Sequence, residues 1–142
     1  PLPAAAQNAE ADNMRILREK MMGDKKLIVA ANMALTDAES KAFWPIYDAY
    51  QAELQKINEQ LGTIIADYAR MHNAGKLTDA RARALMDRYL GAEEAEVRLK
   101  RTFAKRLDKV LPGVKVTRYL QIENKIRAIV KYELAGEVPL AK

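Results

Sequence analysis

The sequence predicts an all-α protein: a long antiparallel helical hairpin with N- and C-terminal helices packed along it, about four helices in one domain of 142 residues. Three observations carry this. The large apolar residues Phe43, Tyr47, Tyr50, Leu54, Ile57, Leu61, Ile64, Tyr68 and Met71 follow one another in alternating steps of four and three. That is a heptad seam, the pattern of a long helix lying along another. Glycine (6) and proline (5) are scarce, so little interrupts long helices. Finally, two segments with the same lettering, Leu35-Thr36-Asp37-Ala38 and Leu77-Thr78-Asp79-Ala80, read as helix starts.

In chain order, Pro1 to about Gln7 is expected to be a frayed leader. Its Pro1-Leu2-Pro3-Ala4-Ala5-Ala6 run has the small residues that flank a signal-peptidase cut, so an exported, periplasmic protein is expected. Apolar positions at Met14, Leu17, Met21, Ile28 and Ala31 then mark a first helix, with a bend expected near Gly23.

Thr36 can cap the second helix, and Glu39 stands where a side chain closes a capping box. Pro45 falls inside this helix and predicts a kink, because it lacks a donor and crowds the carbonyl of Lys41. After the seam, Ala74-Gly75-Lys76 leaves so short a connection that the flanking helices must be antiparallel neighbours. The third helix, capped by Thr78, carries Leu85, Met86, Tyr89, Leu90, Val97, Leu99, Phe103, Leu107, Val110 and Leu111 as its apolar positions and stops at Pro112-Gly113. Leu85 is expected to meet Ile64 or Ile65, and Phe103 to meet Tyr47. Glu93 and Glu96 make the weak layer, facing Leu54 to Ile57. A last helix runs from about Lys115 to Ala135, with Tyr119, Ile122, Ile126, Ile129 and Val130 on its buried stripe.

Few chemistries are open to such a chain. It has no cysteine and a single histidine, His72 at the hairpin tip, so no Ser-His-Asp or Cys-His set can be assembled. No glycine-rich phosphate loop occurs. Glu93 and Glu96 are the one carboxylate pair near the seam; pairing with Arg88 or Lys100 across a helical turn accounts for them without chemistry. The methionines coincide with the apolar stripes, which fits packing better than a soft-metal site. The expectation is a protein that is no enzyme and needs no cofactor or metal.

Charge is the more telling feature. The net charge of +5 is unevenly spread: from Arg98 to Lys131 eleven basic residues face only Asp108 and Glu123, while Thr36 to Ala74 carries more acid than base. A field of this kind concentrates acidic partners. No nucleic-acid reading module is visible, so acidic patches on unfolded or envelope proteins, or an anionic lipid surface, are the expected partners. Arg98, Arg101, Lys105 and Arg106 would attract them. Trp44, one position off the seam, and Ile46 would offer apolar contact.

The two helix starts, Leu35-Thr36-Asp37-Ala38-Glu39 and Leu77-Thr78-Asp79-Ala80-Arg81, resemble the paired Leu-Thr-x-x-Gln motifs of the Spy/CpxP family of periplasmic helical proteins. Glu39 and Arg81 stand where that family has glutamine. The resemblance implies a cradle-shaped homodimer and either ATP-independent chaperoning or a role as a regulatory adaptor or metal-responsive sensor that binds one specific partner in envelope stress. Phe43-Trp44-Pro45-Ile46-Tyr47-Asp48-Ala49-Tyr50, Val110-Leu111-Pro112 and Gln121-Ile122-Glu123-Asn124-Lys125 also resemble segments of small exported proteobacterial proteins, a likeness that implies export and a helical fold but no activity. The function expected is the non-catalytic holding of unfolded or envelope proteins.

Overall fold

The computed structural model describes Asp12, Ile16 and residues 24–142. The expected leader, Met14, Leu17 and Met21, and the bend at Gly23 lie outside the described residues. Among those described there are four helices, α1 (Lys25–Met33), α2 (Asp37–Asn73), α3 (Asp79–Asp108) and α4 (Gly113–Glu137), and no strand. The all-α hairpin architecture is therefore the observed one.

The first three helices start where a side chain supplies an acceptor for an early amide, whereas α4 follows Pro112 with no side-chain cap. Asp24 accepts from the Lys26 amide at 2.8 Å. Thr36 and Glu39 form the expected capping box, with the Glu39 amide donating to Thr36 Oγ1 (3.2 Å) and the Thr36 amide to Glu39 Oε2 (3.0 Å). Thr78 caps α3 in the same way at 3.2 Å, but Arg81 has no carboxylate to complete a box; its guanidinium donates to the Lys76 carbonyl instead.

The helix α2 runs unbroken through Pro45 for 37 residues, roughly 55 Å. It ends in a Schellman turn: the Lys76 amide donates to Met71 O (2.9 Å) and the Gly75 amide to His72 O (3.2 Å), with Gly75 at φ +64°. That left-handed residue lets the chain reverse within five residues, so α3 returns antiparallel along α2. At the opposite end the α3–α4 turn is held by buried Leu111, and α4 runs back along α3, with α1 packed against it.

The core concentrates at that end. Phe43, Tyr47, Tyr50, Phe103 and Tyr119 interlock edge to face, with Phe43–Tyr119 centroids 5.1 Å apart and Tyr50–Phe103 5.3 Å, a geometry that adds to the area they bury. Ile16, Val29, Met33 and Leu107 close it. The expected pairing of Phe103 with Tyr47 is corrected to Tyr50. Side chains lean toward the N-terminus of their own helix; on antiparallel neighbours Phe103 leans toward the hairpin tip and Tyr50 away from it. The two therefore meet about one turn off level, and Tyr47 is left for Tyr119. Leu85 and Ile64 share the second, smaller cluster near the tip, as expected. No helix among the described residues is long and apolar enough to cross a membrane.

Candidate functional site

The seam is closed at the aromatic end and opens toward the hairpin tip. Phe43 to Ile57 and Ile64 are buried, but Leu61, Tyr68 and Met71 are only half covered. The cause is on α3. Leu85-Met86 and Tyr89-Leu90 are adjacent apolar pairs, and at 3.6 residues per turn neighbours cannot share a face. Leu85 turns inward and Met86 is left 58 % exposed; Leu90 and Val97 are exposed as well. The next inward residue, Ala92, is buried with Ile64 and Leu85 but adds little bulk, and no other atom approaches the Cβ position of Gly62, which lines the opening on α2.

The result is a groove of about 1130 Å³ between α2, α3 and the second half of α4. Leu61 and Tyr68, Leu85 and Met86, and Val130 and Leu134 represent its three apolar walls. It extends from Tyr50 to Tyr68, roughly 27 Å along α2. Beyond Glu137 the chain leaves helix, with Val138 extended at φ −96° and ψ 112°. Tyr68 donates its hydroxyl to the Pro139 carbonyl at 2.6 Å, and Val138 and Ala141 lie in the groove lining.

At the end remote from the tip the groove stops against two buried carboxylates. Glu96 meets Arg127 Nη2 at 2.8 Å and Lys100 at 3.7 Å, and Arg127 also donates to Asn58 Oδ1 at 2.6 Å. Glu123 accepts from Tyr119 Oη (2.6 Å) and Gln51 Nε2 (2.8 Å) and pairs with Lys25 at 2.7 Å. Burial, then the Glu123 charge, pushes the Tyr119 phenol far above its ordinary range. Each carboxylate oxygen thus faces a cation or a donor, an arrangement that anchors helices rather than one that leaves a group free to exchange protons. Of the pairing considered for Glu93 and Glu96, only the Lys100 contact occurs. Glu93 accepts from Tyr89 Oη and approaches Lys131, while Arg88 pairs with Asp67. That guanidinium, with Arg70, holds the Asp67 carboxyl below the usual range.

The structure places Arg98, Arg101 and Lys105 together on the solvent face of α3, one turn apart; Arg98 lies 4.0 Å from Glu94. Arg106 turns aside and lays its guanidinium 4.7 Å over the Phe103 ring. Trp44 and Ile46 are both half-buried and packed on the core, with Lys26 Nζ 5.2 Å over the indole. They are not the main exposed apolar surface. The groove exposes more, and the sequence does not reveal it while Met86 and Tyr89, which line it, count among the core positions of α3. The adjacent pairs on α3 were the signal.

Much of the basic excess is also spent internally: Lys115 pairs with Glu39, Arg118 donates to Asn32 O, and Arg127 and Lys131 meet Glu96 and Glu93. Among the described residues, Arg101, Lys105 and Lys109 enter no ion pair. No group of three His, Cys, Asp or Glu side chains is placed to hold a metal ion among the described residues. The His72 ring sits 5.6 Å from Tyr68 with neither nitrogen hydrogen-bonded. Compared with family models, curated proteins and solved structures, the chain matches none.

Proposed function

We propose that this protein is a non-catalytic periplasmic holding protein that binds extended apolar segments of unfolded or envelope proteins without ATP. The observation that supports this best is the open groove occupied at one edge by the chain's own Val138–Ala141 segment. An extended, apolar, proline-containing stretch already lies there, fixed by one hydroxyl-to-carbonyl bond that any peptide backbone could replace. Tyr and Met in the lining suit varied sequences, since thioether side chains repack easily and the phenol adds a polar handle. Arg98, Arg101, Lys105 and Arg106 raise the local concentration of acidic clients, while the groove replaces Trp44 and Ile46 as the principal grip. The likeness of the two Thr-capped helix starts to the Spy/CpxP motifs points the same way.

The test is aggregation of a chemically unfolded model substrate, without nucleotide, at rising ratios of this protein. Suppression near equimolar ratios, weakened by salt and by Met86→Asp, supports the reading. No suppression at several-fold excess overturns it, and stoichiometric capture of one envelope partner would then favour an adaptor.

A further inference from the structure

Beyond the groove, toward the α3–α4 turn, lies a basic surface whose apolar tip has no part in the holding of clients. Arg98, Arg101, Lys105 and Lys109 recur every three or four residues along the last turns of α3, so they form one solvent-facing stripe. Asp108 is the one acidic residue between Val97 and Arg118, and the last three members of the stripe enter no ion pair among the described residues. The stripe runs into the α3–α4 turn, where Val114 is 81 % exposed and Val110 and Pro112 are exposed beside it. Leu111 is buried between them and fixes the turn on the core, so these apolar groups are held outward.

From this juxtaposition we infer that the α3–α4 turn and the α3 basic stripe form a docking surface for an anionic lipid bilayer. Charge complementarity identifies the occupant: a stripe of uncompensated cations gains from a negative headgroup layer, by about fivefold in partition for each Lys or Arg near the surface. The valine-tipped turn separates a bilayer from other polyanions. Apolar groups at the tip of a cationic patch gain by entering the headgroup–acyl boundary and gain nothing against a phosphate backbone. Lys109 lies roughly 14 Å along the helix axis beyond Lys100, the last α3 residue in the groove lining, so a molecule seated on the turn would leave the tip-side part of the groove clear of the membrane. The inference does not depend on the holding activity.

Vesicle co-sedimentation of the full chain tests it, using phosphatidylcholine vesicles with and without one-third phosphatidylglycerol. Binding is expected only with the anionic lipid. It should fall more than about tenfold in the Lys105→Glu/Lys109→Glu variant, and severalfold in Val114→Ser, which leaves the charge untouched; helicity and the thermal midpoint should be unchanged in both. Equal binding to both vesicle types overturns the inference, as does no binding to either. Full retention by Val114→Ser together with equally tight binding of duplex DNA also overturns it, in favour of a polyanion surface.

Discussion

Arg127 of α4 reaches Glu96 of α3 at 2.8 Å at the closed end of the groove, and both side chains are almost entirely buried. The pair fastens the last helix to the hairpin. Removing one partner leaves the other charged and buried, which costs about 3–5 kcal/mol. Arg127→Met alone should therefore lower the urea midpoint sharply. Glu96→Leu with Arg127→Met should recover most of that loss, because an apolar pair of similar volume carries no desolvation cost. Equilibrium urea unfolding of the three proteins checks this; a double variant as unstable as the single would refute it.

Backbone conformation makes opposite predictions at two turns. Ala34 ends α1 at φ 51°, in the left-handed region, whereas Gly75 occupies that region at the hairpin tip. A side chain there costs about 1 kcal/mol. Ala34→Gly should raise stability by about 0.5–1 kcal/mol and Gly75→Ala should lower it by about 1 kcal/mol. Nothing lies within 4 Å of a Cβ built on Gly75, so its loss would be conformational alone. Thermal midpoints of the two variants measure both signs.

Two surface carboxylates govern the acid limb of stability. The Lys115 ammonium, with the Thr36 amide, holds the Glu39 carboxyl below its ordinary value, and Arg88 and Arg70 do the same for Asp67. A carboxylate depressed by folding contributes stability that is present above its unfolded pKa, about 4. That contribution is lost as pH falls through the lower folded value. Stability should thus decline as pH drops below about 4, and Glu39→Gln should flatten part of that decline. A Glu39→Gln profile parallel to that of the parent would count against the linkage.

The parts of this molecule legible in sequence are the local ones. Thr36, Glu39, Thr78 and Gly75 announce their caps and turn within four residues, and the four–three spacing from Phe43 to Met71 fixes the seam. What was not legible depends on partners far along the chain. Glu96 reads as an acid near the seam that pairs across its own helical turn, and its main partner, Arg127, stands thirty-one residues on. The Lys115–Glu39 contact spans seventy-six residues, so the basic excess of the second half could not be discounted from composition. The groove was hidden for a related reason: whether Met86 or Leu85 faces α2 depends on helix rotation, and its third wall, Val130 and Leu134, comes from α4.

The segment that crosses the groove offers the last prediction. Tyr68 Oη to Pro139 O is one hydrogen bond at an exposed site, with a net value of about 0.5–1.5 kcal/mol. A tail held so weakly competes with any peptide that enters the same walls. Tyr68→Phe removes the bond while keeping the ring in the wall, and should free the lining near Val138 and Ala141. If extended apolar segments bind there, a fluorescent peptide rich in Leu and Val should bind Tyr68→Phe more tightly, by a few-fold, as expected for losing a competitor of that strength. Removing residues 138–142 should produce an increase at least as large. Met86→Asp, on the opposite wall, should weaken binding in both backgrounds. Unchanged affinity in all three would mean that the tail and the peptide do not share the groove. The holding site would then have to be sought on the exposed Leu90–Val97 face of α3.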